Sequence, residues 1–339
     1  LKKFGRLSFI FFINHIALIP KMQQYTLPLF IVGLILITKG ADWFTESAVS
    51  ISRKSGIPKM IIGATIVSFA TTAPEFAVSA YAAYLGHTGL TVGNAVGSAI
   101  CNAGLILGGV IVVRSVPVED SSFLKRGAFM ISSALLLIVT SIDGILTPVD
   151  GILLLVVFVA FLYYNCRRQS LLFGTNEAED NEELGDVSDS ISKDVALFVL
   201  GAALVVGGSR ILIDSGTDIA MWLGVPEMII GLTLVAFGTS LPELITAISA
   251  TRKGHHDLTV GNILGANTMD IALILGASSL ISELPIQDQS LYYDFPAMLL
   301  IMGMIVFFGL TGHKLARWEG AIILATYIAY VGGLFFFYM

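Results

Sequence analysis

The chain has 339 residues, 55% of them hydrophobic and only 13% charged, against roughly a quarter charged in an average soluble domain. So much apolar surface excludes a water-soluble fold, and a net charge of −6 gathered mostly in one loop argues against a nucleic-acid partner. The two cysteines, Cys101 and Cys166, form neither a disulfide framework nor a zinc spacing.

Residues 1–21 stand apart from the rest. Lys2, Lys3 and Arg6 precede an apolar stretch from Leu7 to Pro20 that is too short to span a bilayer. It reads either as the head of a signal peptide or as a misassigned start ahead of Met22. Residues 1–25 are therefore set aside as leader or misassigned start. From residue 26 onward the hydrophobic runs are long enough to cross, since about 20 residues rising about 1.5 Å each span a hydrocarbon core of about 30 Å. Ten spans are predicted, over 26–50, 57–86, 90–113, 126–142 and 147–166, then 194–222, 226–251, 257–281, 291–311 and 317–338. Lipid offers no water to backbone groups, so spans of this kind are helices and the fold class is all-α membrane.

Between the fifth and sixth spans, residues 167–193 carry Glu177, Glu179, Asp180, Glu182, Glu183, Asp186 and Asp189 among Ser, Asn and Gly. This linker is too polar to bury anything and lacks an EF-hand spacing, so it reads as a solvated tether between transmembrane repeats at 26–166 and 194–339.

The two repeats match without a gap at an offset of 168. Gly33 maps to Gly201, Gly40 to Gly208, Gly56 to Gly224, Pro58 to Pro226, Gly63 to Gly231, Thr71 to Thr239, Pro74 to Pro242 and Glu75 to Glu243. Leu90-Thr91-Val92-Gly93-Asn94 returns unchanged as Leu258-Thr259-Val260-Gly261-Asn262. With five spans in each copy, the second enters the membrane from the opposite side. Inverted repeats are a secondary-transporter architecture, with the site near the midplane where they meet. Arg53, Lys54, Lys59, Arg114, Lys125, Arg126, Arg167, Arg168, Lys193, Arg252, Lys253, Lys314 and Arg317 all fall on one side. Positive loops stay cytoplasmic, which places the linker inside and both termini outside a plasma or inner membrane.

The second span contains Ser68-Phe69-Ala70-Thr71-Thr72-Ala73-Pro74-Glu75, and its mate contains Ala236-Phe237-Gly238-Thr239-Ser240-Leu241-Pro242-Glu243. Proline removes a backbone donor and clashes one turn back, so each helix is expected to kink or open and to free carbonyls such as those of Thr71 and Thr239. A carboxylate at the bilayer centre costs at least about 2.5 kcal/mol and needs a partner. Neither glutamate has a Lys or Arg neighbour in sequence, and both are expected to converge on the pseudo-twofold axis and share a cation.

The next span of each half adds further oxygens. Ser98 and Asn102 lie one turn apart, and Asp270 occupies the register of Asn102. Gly93, Gly97, Gly261 and Gly265 form faces for close helix approach, while Asn94 and Asn262 can bond either unwound backbone or an ion. The inventory is Glu75, Glu243, Asp270, Asn102, Ser98, the Thr72 and Ser240 hydroxyls and freed carbonyls, oxygen throughout. Such a set suits Ca²⁺ or Na⁺ rather than zinc or copper. His87, His255 and His256 fall at loop ends and read as solvated.

Gly238-Thr239-Ser240-Leu241-Pro242-Glu243 and the run from Gly93-Asn94 to Asn102 resemble the α-repeats of the calcium/cation antiporter superfamily, most closely the sodium/calcium exchangers. The resemblance covers nearly the whole chain from residue 26. It implies ten helices, Glu75 and Glu243 as principal Ca²⁺ ligands, and carbonyls lent by Thr71 and Thr239. It implies that Thr72, Ser98, Asn102, Ser240 and Asp270 help form flanking Na⁺ sites, and that the first and sixth helices slide over a fixed core. Transported Ca²⁺ and Na⁺, with H⁺ or K⁺ as other coupling ions, and the bilayer are then the partners; neither a cofactor nor a protein partner is required. Two positions depart from the family pattern: Ala70-Thr71-Thr72-Ala73 replaces the usual Gly-Thr-Ser-Leu, and Ala266 stands at the mate of Ser98.

The nearest rival is a proton/calcium antiporter, followed by a passive channel. An intramembrane enzyme is disfavoured because no span carries His-Glu-x-x-His, Gly-x-Gly-Asp or a serine/histidine pair.

Overall fold

A computed structural model describes residues 25–54, 68–118, 121–173, 191–252, 256–312 and 314–338. The leader up to residue 24, the expected start of the second span, Lys59, Lys253, His255 and the linker from 174 to 190 lie outside the described residues.

In chain order the helices are α1 (Thr26–Lys54), α2 (Ser68–Leu85), α3 (Thr88–Cys101), α4 (Gly108–Val113), α5 (Ser121–Thr140), α6 (Pro148–Phe173) and α7 (Ile191–Leu223). They continue with α8 (Glu227–Ile230), α9 (Ala236–Thr239), α10 (Leu241–Arg252), α11 (His256–Met269), α12 (Gly276–Ile281), α13 (Phe295–Gly312) and α14 (Arg317–Tyr338). Among the described residues eight helices are long and apolar enough to cross a membrane. A ninth is added when Glu227–Thr239 and Leu241–Ile248, bent by 42°, count as one span. The span expected over 57–86 is described only from Ser68.

Element boundaries repeat at the same offset as the sequence. Helix α3 and the π-helical turn Asn102–Leu107 that continues it have their counterparts 168 residues on, in α11 and the π turn Asp270–Leu275; α4 likewise matches α12. The runs Thr88–Val113 and Thr259–Ile281 are about four-fifths buried, with 78% and 83% inside, whereas Pro148–Arg167 has only 17% inside. Apolar all round and enclosed, these two are the centre of the bundle. Leu90, Ile100, Leu107, Ile263, Ile274 and Leu275 form its continuous apolar core with Ile230 and Val235.

Helix α1 lies along α7 for much of its length. The contact is built on glycines seven residues apart, hence two turns apart on one face of each helix. A Cβ on Gly40 would sit 2.8 Å from the oxygen of Gly201, and one on Gly208 would sit 3.0 Å from the oxygen of Gly33. No side chain fits between the two backbones, so these glycines set the helix separation.

Two short antiparallel ribbons tie the halves together. β1 (Val116–Pro117) pairs with β4 (Lys314–Leu315), and β2 (Ile145–Leu146) pairs with β3 (Leu284–Pro285). Each strand therefore meets a partner from the opposite half. Beside the first ribbon, Arg317 Nε donates to the oxygen of Val112 at 2.7 Å, satisfying a terminal carbonyl of α4. Near the second, Thr147 and Asp150 form a reciprocal box that opens α6. Helix α7 ends at Gly224, whose φ of 68° closes a turn in which the Val225 N–H reaches the Ala220 oxygen at 3.0 Å.

Candidate cation site

The two proline motifs behave differently. After the π turn Gly231–Val235 and the single turn of α9, the chain bends at Ser240 (φ −82°, ψ 7°) before α10 begins. Pro242 has no N–H to offer the oxygen of Gly238 four residues back, and the Thr239 hydroxyl lies within 3.1 Å of the Val235 oxygen, so the helix opens here. In the first half α2 runs unbroken from Ser68 to Leu85 with Pro74 inside it. The expected opening is therefore seen at the second motif, while at Pro74 one missing donor is absorbed within a continuous helix. Thr71 lies on α2, and its side chain is outside the described atoms.

Thr72, Glu75, Ser98, Asn102, Thr239, Ser240, Glu243 and Asp270 are all buried, each with about 1% exposure or less. Several meet across the halves. Ser240 Oγ donates to Glu75 Oε1 at 3.2 Å, and Asn102 Nδ2 donates to Asp270 Oδ2 at 3.3 Å. Glu243 is close enough to Glu75 and Asp270 for its charge to be felt by both. Five buried oxygens here, Thr72 Oγ1, Glu75 Oε2, Ser98 Oγ, Asn102 Oδ1 and Asp270 Oδ1, have no hydrogen-bond partner among the described residues. Buried polar atoms are normally paired, so these oxygens have acceptor capacity to spare. No three His, Cys, Asp or Glu side chains among the described residues close on one metal-binding point. A cation gathered here would take neutral hydroxyl, amide and carbonyl oxygens alongside carboxylates, as Ca²⁺ sites do.

The first-half glycines pack as expected: a Cβ on Gly93 would lie 3.1 Å from the Gly231 Cα, and one on Gly97 would lie 2.6 Å from the Leu232 Cα. Asn94 bonds protein rather than standing free, through the Glu75 oxygen, Ser79 and Thr239.

Other features lie outside the sequence expectations. His87 is paired instead of simply solvated, with Nδ1 3.0 Å from Glu227 Oε2, because the turn after α2 brings it over the start of α8. Lys39 and Arg210 lie inside α1 and α7 and are matched locally by Asp42 and Asp214. A buried carboxylate outside this set, Asp294, accepts from Tyr330 at 2.9 Å and from Ser290 and Gln289 at 3.3 Å. An acid inside the ninth expected span was the available signal for it.

Long apolar helices around a buried store of carboxylate, amide and hydroxyl oxygens describe a membrane transport protein. The chain belongs to the sodium/calcium exchanger protein family, which matches residues 25–167 and 193–336. The sodium/calcium exchanger MaX1 of Methanosarcina acetivorans is 32% identical over 343 residues, covering 90% of this chain and 97% of its own length. The inner membrane protein YrbG of Escherichia coli is 36% identical over 277 residues, covering 80% and 85%. Among solved structures, the sodium-calcium exchanger NCX_Mj superposes with a TM-score of 0.61 at 31% identity, over 92% of this chain and 99% of that one. The family is one of transporters, not enzymes, and this chain is a membrane protein of the cation-exchanger class.

Proposed function

We propose that the protein exchanges Ca²⁺ for Na⁺ by alternating access, with Glu75 and Glu243 as principal Ca²⁺ ligands. Thr71 and Thr239 lend carbonyl oxygens, while Thr72, Ser98, Asn102, Ser240 and Asp270 complete flanking Na⁺ positions. The observation that carries this reading is the set of five buried oxygens without a hydrogen-bond partner among the described residues, beside the buried carboxylates of Glu75, Glu243 and Asp270. Ionised, the three carry three negative charges, which three Na⁺ balance and one Ca²⁺ does not. Both ions need the glutamates, so occupation by one denies the other its main source of charge. Buried carboxylates left without a cation disfavour the sliding step, which suppresses uncoupled leak.

The same reading takes the chain as ten helices in two inverted repeats, 26–166 and 194–339, joined by a cytoplasmic linker at 167–193, with both termini outside a plasma or inner membrane. The reciprocal pairing of β1 with β4 and β2 with β3 supports the inversion, since each ribbon joins a loop of one half to the loop that the inverted copy brings to the same side. The family match, which falls in two stretches on either side of the linker, supports the division. Naming of the relatives MaX1 and NCX_Mj as sodium/calcium exchangers supports the choice of ions.

The test is ⁴⁵Ca²⁺ uptake into proteoliposomes at clamped voltage under an outward Na⁺ gradient or an outward H⁺ gradient. Uptake driven by Na⁺ and not by H⁺ is expected. Uptake driven only by H⁺ reassigns the coupling ion, and uptake without any gradient of a counter-ion contradicts exchange.

A further inference from the structure

Asn94, at the centre of α3, is completely buried and uses its whole amide within the protein. Its Nδ2 donates to the backbone oxygen of Glu75 at 3.2 Å and to Ser79 Oγ at 2.9 Å. Its Oδ1 lies 3.2 Å from the Thr239 hydroxyl. That hydroxyl has one proton and three acceptors in reach, the others being the oxygens of Val235 and Ala236. The Ala236 oxygen already receives the Ser240 N–H at 3.0 Å. Both amide hydrogens of Asn94 point to acceptors, so its oxygen is the group that needs the proton.

The contacts close a ring across the two halves. Asn94 joins the backbone of Glu75 to the side chain of Thr239; Thr239 is followed in the chain by Ser240; and Ser240 Oγ returns to the Glu75 carboxylate at 3.2 Å. Glu75 is thus tied twice to one short segment, directly through its carboxylate and at its backbone oxygen by way of Asn94, and this is the segment in which the chain bends. Thr91 fastens the outer side of this ring, with its hydroxyl 3.2 Å from the Ser79 oxygen.

We infer that Asn94 is a positioning residue that fixes the Glu75 carboxylate relative to the opened Gly238–Ser240 backbone, and so sets the size of cation the site accepts. It rests on the reading of Glu75 as a cation ligand. Ca²⁺ takes oxygens at about 2.3–2.6 Å in flexible geometry, so discrimination against a larger divalent ion depends on how firmly the two sides are held. With the ring cut, the two sides move independently, and the site accepts the larger ion more nearly equally.

The experiment compares Asn94→Ala, Thr239→Val and Thr239→Ser with the parent in proteoliposomes, reading KM and maximal rate for Ca²⁺ and for Sr²⁺. Glu75→Gln is run beside them, and size exclusion checks the fold. Loss of a buried hydrogen-bonding group of this kind is expected to raise the Ca²⁺ KM about tenfold in Asn94→Ala. The Ca²⁺/Sr²⁺ preference should fall with it. Thr239→Val, which keeps the shape and loses the hydroxyl, should shift the preference in the same direction, and Thr239→Ser, which keeps the hydroxyl, should restore it. The threonine pair decides the matter even if Asn94→Ala does not fold. An unchanged preference in Thr239→Val, or equal effects of Val and Ser at that position, overturns the inference while Glu75→Gln remains inactive. Normal transport by Glu75→Gln overturns the underlying reading, and the inference with it.

Discussion

Asn102 Nδ2 donates to Asp270 Oδ2 at 3.3 Å, joining two side chains that hold the same position in the two halves, 168 residues apart. Each is the first residue of a π-helical turn. The wider turn departs from the α-helical spacing at the point where these side chains meet, a common setting for functional residues. The pair is neutral on one side and acidic on the other, so the proposed site is not symmetric in charge.

From this follows a prediction for coupling. Asp270→Asn preserves shape and leaves both glutamates, so Ca²⁺ binding should survive while the Na⁺ dependence of exchange changes. The double replacement Asn102→Asp with Asp270→Asn moves the charge to the mate and should recover part of the Na⁺ dependence. The measurement is Ca²⁺ flux against external Na⁺ for each variant; an unaltered Na⁺ curve in Asp270→Asn removes that residue from counter-ion coordination.

The close contact of α1 with α7 predicts a packing defect. A Cβ on Gly201 would stand 2.5 Å from the Phe44 nitrogen and 2.7 Å from the Gly40 oxygen, both backbone atoms that cannot swing aside. Gly201→Leu should therefore destabilise by about 1–3 kcal/mol or more. It is expected to lower the melting temperature in detergent and to abolish transport. An unchanged melting curve would show that the helices tolerate separation.

Much of this arrangement was legible because the chain repeats. Glu75 with Glu243 and Asn102 with Asp270 stand out as polar residues in apolar spans at matching positions, and duplication made each more than an isolated oddity. The π turns left no trace in composition, since an i→i+5 turn uses the same residues as an α-helix. Pro74 and Pro242 looked alike in sequence, yet only at the second is a described helix interrupted, where a π turn and a hydroxyl at Thr239 come together. Asn94 could be read as ligand or tether until its three partners were seen. Asp294 has Ser290 and Gln289 close by in the chain, but Tyr330, the donor at 2.9 Å, comes from another helix 36 residues on, which the sequence does not reveal.

Asp294 supplies a stability prediction. Tyr330→Phe removes the donor at 2.9 Å and leaves Asp294 Oδ1 buried without it. Loss of such a bond costs about 1–3 kcal/mol, so the melting temperature should fall. Ca²⁺ flux at low temperature should persist, because Asp294 stands outside the proposed cation site. Loss of flux without loss of stability would place Asp294 in transport.

The ribbons predict sidedness. Single cysteines at Asp143 and Asp288, flanking β2 and β3, should react with an impermeant thiol reagent from outside intact cells, in a background with Cys166→Ser. Cysteines at Arg114, just before β1, and at Lys314, the first residue of β4, should react only after the membrane is opened. All four positions are exposed. Labelling of Asp143 and Lys314 from the same side contradicts the inverted arrangement.

The most direct test of the shared carboxylates is ⁴⁵Ca²⁺ flux for Glu75→Gln and Glu243→Gln, each checked by size exclusion, with external Na⁺ titrated against the parent. The two residues come from different halves and are both buried. Each replacement should abolish Ca²⁺ transport while leaving a folded protein, and Na⁺ should compete with Ca²⁺ in the parent. Normal Ca²⁺ transport by either glutamine variant, or a parent indifferent to Na⁺, would contradict a site in which both ions depend on the same two glutamates.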